Sequence, residues 1–88
     1  MNAVEDFELN KLKALSRIKK QLMYHVVRRA HISGFIDIRD CNRWFGITKA
    51  NWLRGVKYGV LPKSNEFGQW NCEDIYKVID DIYKKELT

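Results

Sequence analysis

Apolar residues recur along the first third of the chain at Leu12, Leu15, Ile18, Leu22, Val26 and Ala30, with Leu9, Met23 and Val27 beside that stripe. Steps of three and four place them on one face of a helix. Lys11, Lys13, Arg17, Lys19, Lys20, Arg28 and Arg29 surround it. Asn2, with Glu5 three residues on, has the form of a capping box and opens the helix near residue 3. The pattern runs to about Ile32 and meets Ser33-Gly34, a C-terminal signal. No Pro or Gly interrupts it. The spacing therefore predicts a long, basic, amphipathic N-terminal helix within residues 1–34, with Ser16 and Tyr24 as places for a break. Its stripe can serve as core cover or as the seam of a dimer.

From residue 35 the periodic runs shorten. Asp37 can cap a short helix whose inner face is Ile38, Cys41, Trp44 and Phe45, with Gly46 ending it. Thr48 caps a second helix, Lys49 to Tyr58, which Gly59 closes. Two short helices around a glycine-bearing turn make a helix-turn-helix. The segment Lys63 to Trp70 alternates turn residues with apolar ones and predicts a small β-hairpin. Asn71 or Cys72 then starts a last helix with Ile75, Val78, Ile79 and Ile82 on one face. Glu73 and Asp74 stand in its first turn and Lys84 and Lys85 in its last, as the helix dipole favours. The expected fold is mainly α with a small β-hairpin: residues 35–88 form one compact unit and residues 1–34 precede it.

Composition narrows what such a chain can do. With 88 residues there is room for one domain and a small core, which disfavours a deep catalytic cleft. A hydrophobic share of 45% argues against disorder. No apolar run nears the roughly 20 residues that span a bilayer, and the start Met1 to Asp6 is acidic where a signal peptide is basic. The expectation is a soluble, cytoplasmic domain. Cys41 and Cys72 form no CxxC pair and read as reduced, packed thiols. His25 and His31 lack zinc spacings and read as polar-face residues, so no metal or other cofactor is expected. Trp44 and Trp70 are expected in the core. A membrane-surface use of the basic helix ranks behind its use as core or seam.

The net charge of +5 is unevenly spread. Residues 1–8 carry −3, residues 9–63 carry +11 and residues 64–88 carry −3. A basic middle of that density is the footprint of a protein that neutralises phosphates. Charge alone does not separate that use from a solvated basic face.

The motif inside the basic region is more specific. Gly46-Ile47-Thr48, Trp52-Leu53-Arg54, Val56-Lys57 and Gly59-Val60-Leu61-Pro62, followed by Trp70-Asn71-Cys72-Glu73-Asp74-Ile75, resemble the winged helix-turn-helix of the MerR/excisionase superfamily. The resemblance covers residues 36–82. It implies a turn glycine, a Thr cap, a recognition helix and a closing Gly-x-Leu-Pro before a short wing. At 100° steps, Trp52, Gly55 and Val56 fall on one side of that helix. Ala50, Arg54 and Lys57 fall opposite, flanked by Leu53, Lys49 and Tyr58. Arg54 is the candidate for a bidentate guanine contact, and Ala50 is small enough for close approach or a thymine methyl. Thr48, Asn51, Lys63 in the wing, and Arg39 and Arg43 in the first helix region complete the expected DNA-binding set. Gly55 costs about 1 kcal/mol mid-helix relative to alanine, and Trp52 is expected to fill its space.

The resemblance implies a non-enzymatic, sequence-specific binder of double-stranded DNA from a phage or other mobile element. The roles it suggests are an excisionase-like recombination directionality factor or a small transcriptional regulator, binding as a homodimer or cooperative multimer. Alternatives are a DNA-recognition unit for packaging or replication initiation, with an integrase, terminase or replication protein as partner, or a protein–protein module that no longer touches DNA. A nuclease using Asp80 and Asp81 is the weakest reading, because neighbours lie about 100° apart on a helix and no third ligand is recognisable.

Overall fold

The computed structural model describes residues 3–23 and 32–87, with side chains for 4–23 and 32–84. Among the described residues six elements follow one another: α1 (Ala3–Gln21), β1 (Phe35–Asp37), α2 (Cys41–Phe45), α3 (Lys49–Lys57), β2 (Gln69–Asn71) and α4 (Cys72–Leu87). The chain is thus mainly helical with one small antiparallel two-stranded sheet.

One core joins the first helix to the described elements after it. Ala14, Ile18 and Leu22 are buried together with Phe45, Ile47, Trp52, Leu61, Trp70, Ile75 and Ile79. Of the predicted stripe, Ile18 and Leu22 are core and Leu15 packs half-buried against it, while Ala14, outside the stripe, is buried beside them. Val26 and Ala30 of the same stripe, Asn2 of the capping box, Val27, Arg28, Arg29, both histidines and the side chain of Lys85 lie outside the described residues. Leu12, by contrast, stays exposed.

α1 ends at Gln21, near Tyr24, one of the two places predicted for a break; residues 24–31 of the predicted helix lie outside the described residues. Leu22 still donates its amide to the Ile18 carbonyl (2.9 Å), but the Met23 amide leaves the helix for the Phe45 carbonyl (3.1 Å). A long-range partner thus takes the amide that a continuing helix would use.

The predicted hairpin is also rearranged. Gln69–Asn71 pairs with Phe35–Asp37, in the register Phe35 to Asn71, Ile36 to Trp70 and Asp37 to Gln69. The residues just before the turn form no second strand beside it. That register points Ile36 and Trp70 into the core together. The turn itself is tight: Asn65 Oδ1 accepts from the Phe67 and Gln69 amides, both at 2.9 Å. The Asn65 amide donates to the Gln69 carbonyl at 2.8 Å. Because Phe35–Asp37 is strand, α2 begins at Cys41 rather than Ile38. Asp37 caps a turn instead, its Oδ1 accepting from the Arg39 amide at 2.9 Å.

Several local signals fall where expected. Gly46 ends α2 with φ 78°, Thr48 caps α3 and α4 starts at Cys72. Both thiols are free and buried, and burial pushes both above the usual thiol range. Trp70 is buried, its Nε1 donating to the Pro62 carbonyl at 2.7 Å, while Trp44 is only half-buried. The Trp52 indole N–H has no hydrogen-bond partner among the described residues.

Gly46 carries a testable consequence. A Cβ there would sit 2.7 Å from Met23 Cγ and 2.8 Å from the Gln21 carbonyl oxygen. Gly59 has nearly the same φ, 79°, with nothing within 4 Å. Gly59→Ala should therefore cost only the left-handed strain, about 1–2 kcal/mol. Gly46→Ala adds crowding and should cost about 3 kcal/mol. Urea denaturation of the two variants side by side measures the difference, and equal costs would mean the contact with α1 is slack.

Candidate nucleic-acid interface

α3 owes its position to two features of its sequence. Its N-terminus is capped by Thr48, whose side chain accepts from the Asn51 amide at 3.4 Å. Its inner face carries Gly55, where a Cβ would lie 2.6 Å from Ile18 Cδ1 and 3.0 Å from Leu61 Cδ1. The missing side chain is what lets α1 come against α3. Ile18 and Leu61 fill the space, not Trp52 as the sequence suggested; Trp52 packs instead against Phe45 and edge-on to Trp70, at centroid distances of 5.7 and 5.5 Å.

The outer face is then determined. Lys49, Ala50, Leu53, Arg54 and Lys57 are exposed, whereas Trp52 and Gly55 are buried. Arg54 Nη1 donates to Asn51 Oδ1 (3.4 Å), so half-buried Asn51 steers the guanidinium that precedes the buried glycine. Lys57 Nζ lies 5.4 Å from the Tyr58 ring centroid. Tyr58 is half-buried, with Phe7 of α1 set edge-on to it at 5.6 Å. It therefore borders the face rather than projecting from it.

Around this face the remaining cations divide into two kinds. Arg43, exposed on α2, holds its guanidinium 5.4 Å over the Trp44 ring. Lys63 is exposed on the loop after Pro62. Arg39 is exposed too, but its Nη2 and Nε donate to Asp37 Oδ2 at 2.9 and 3.2 Å. That pairing holds the Asp37 carboxyl below the usual carboxylate range. Arg39 is thus tied to the β1–α2 turn. From Cys41 to Lys63 the sequence has five cations (Arg43, Lys49, Arg54, Lys57 and Lys63) and no acid.

Gln21 did not stand out in the sequence, yet it touches this site. Its Oε1 accepts from the Thr48 amide at 2.9 Å and the Thr48 hydroxyl at 3.2 Å. Nothing in the local sequence marks it, because its partner is 27 residues away.

Among the described residues no group of His, Cys, Asp and Glu could hold a metal ion. No described helix is long and apolar enough to cross a membrane. A groove of about 260 Å³, lined by Lys11, Leu15, Lys19, Val60, Asp81 and Ile82 among others, lies between α1, α4 and the turn after α3. It brings Asp81 near Lys11 and Lys19.

No family model, curated protein or solved structure matches this chain.

Proposed function

We propose that this chain is a sequence-specific double-stranded DNA-binding protein of winged helix-turn-helix type, with α3 as the recognition helix and residues 62–69 as a short wing. The observation that carries the reading is the outer face of α3. Lys49, Arg54 and Lys57 stand there around small Ala50 and exposed Leu53, with no acid between residues 41 and 63. A major groove admits a helix of this kind, and its base edges suit a mixture of one forked donor, one small residue and flanking point charges. The half-buried Asn51 holding Arg54 supports a base-reading role, because a guanidinium placed before binding loses less freedom on contact.

Within DNA binding, the motifs from Gly46 to Pro62 favour an excisionase-like recombination directionality factor or a small phage-type regulator. Both act by occupying and bending DNA rather than by catalysis. A single recognition helix reads few base pairs, so two or more copies on one site are part of the proposal. The docking of Ala14, Ile18 and Leu22 within the chain leaves that assembly to other surfaces or to the DNA itself.

The division of labour on α3 tests the reading. Arg54→Ala should cost about 1–3 kcal/mol on a duplex enriched from a randomised pool and little on a scrambled duplex. Lys57→Ala should weaken both nearly equally, as a phosphate contact does. Competition titration with the two duplexes measures both. Failure to enrich any duplex would instead favour a module that binds protein.

A further inference from the structure

Resting on the DNA-binding reading, we infer that Gln21, at the end of α1, is a positioning residue for the recognition helix, setting the direction in which α3 presents Arg54. The chemistry of the contact fixes its geometry. A backbone amide can only donate, so the carboxamide atom 2.9 Å from the Thr48 amide is oxygen. That same oxygen carries no proton, so at 3.2 Å the Thr48 hydroxyl donates to it. The lone pairs of the hydroxyl are then left to accept from the Asn51 amide, the first capping bond of α3. Asn51 Oδ1 in turn accepts from Arg54 Nη1. Gln21, Thr48, Asn51 and Arg54 thus form a chain of contacts from the first helix to the candidate base-reading side chain.

Two neighbouring contacts stop the end of α1 from drifting. The Met23 amide donates to the Phe45 carbonyl at 3.1 Å, and the Met23 side chain lies against Gly46 in the turn between α2 and α3. Gln21 is therefore anchored twice, through the backbone beside it and through the cap that its side chain serves. The contact contributes little to global stability, because Thr48 is exposed and water can replace either partner. Its value is directional. Without the acceptor, the Thr48 hydroxyl is free to rotate and the capped end of α3 loses its hydrogen-bonded tie to α1.

The consequence separates specificity from affinity. Gln21→Met keeps length and helix propensity but removes the acceptor. Gln21→Glu keeps an acceptor oxygen for both Thr48 donors while adding a charge that repels any DNA. Its effect on enriched and scrambled duplexes is uniform and cancels in their ratio. Full-length protein is titrated with the duplex enriched by the wild type and with a scrambled duplex of the same composition, and amide hydrogen exchange is followed by NMR. Gln21→Met should lower the preference for the enriched duplex about tenfold, a share of what one base-reading contact provides. It should also speed exchange at Thr48 and Asn51. Gln21→Glu should retain both the preference and the protection while binding each duplex more weakly. A preference unchanged in Gln21→Met, or lost in Gln21→Glu, overturns the inference. If the wild type enriches no duplex, the DNA-binding reading is what fails. Exchange at Thr48 and Asn51 then still decides the coupling: equal rates in wild type and Gln21→Met refute it.

Discussion

Leu22→Glu should leave the chain unfolded at neutral pH. Leu22 is 8% exposed and sits in the same cluster as Ile18, Phe45 and Trp52. Among the described residues no buried polar or charged side chain is placed to meet an ionised carboxylate there. Burying such a charge unpaired costs several kcal/mol, and small domains begin with stabilities of about 5–15 kcal/mol, this one near the low end for its size. Leu22→Ala, which leaves only a cavity, should cost about 2–5 kcal/mol and remain folded. Far-ultraviolet circular dichroism with sedimentation distinguishes the outcomes. A folded, monomeric Leu22→Glu protein with weakened DNA binding would show that the stripe is a seam between copies, against the packing described above.

Binding to duplex DNA should fall steeply with salt. The five cations from Arg43 to Lys63 set the size of the effect. With a logarithmic slope of about −0.9 per phosphate contact, five contacts imply about a 500-fold loss between 50 and 200 mM salt. A pair of copies bound together, with about ten contacts, implies a loss on the order of 10⁵. The salt slope read beside the stoichiometry therefore also reports how many copies share a site. A loss smaller than about tenfold would mean that the basic surface does not meet phosphate.

The parts of this molecule that depend on adjacent residues were legible in the sequence. Gly46, Thr48 and Cys72 mark helix boundaries because cap chemistry is local. The outward set Lys49, Ala50, Leu53, Arg54 and Lys57 follows from 100° steps once Trp52 is taken as inward. What failed was long-range. Tyr24 was a visible place for a break, but the apolar spacing continues through Val26, and nothing local announces that the Met23 amide bonds the Phe45 carbonyl. The turn at Asn65 to Gly68 was visible, but the strand after it pairs with Phe35–Asp37, far back in the chain. Asp37 looked like a helix cap and is bound instead to Arg39. Gln21 and Phe7 acquire their roles only because α1 folds back on α3.

The edge-on pair of Trp52 and Trp70 gives the molecule an internal spectroscopic reporter. Both rings are buried and lie 5.5 Å apart at 83°, one on α3 and the other on β2. Fixed asymmetric aromatic packing of this kind produces near-ultraviolet circular dichroism, which a state with loosened side chains loses even when its helices persist. Trp44 is different: half-buried beneath the Arg43 guanidinium, it borders the surface. The same absorption band therefore divides by environment, with two indoles reporting whether α3 is seated and a third beside the charged exterior reporting what approaches it.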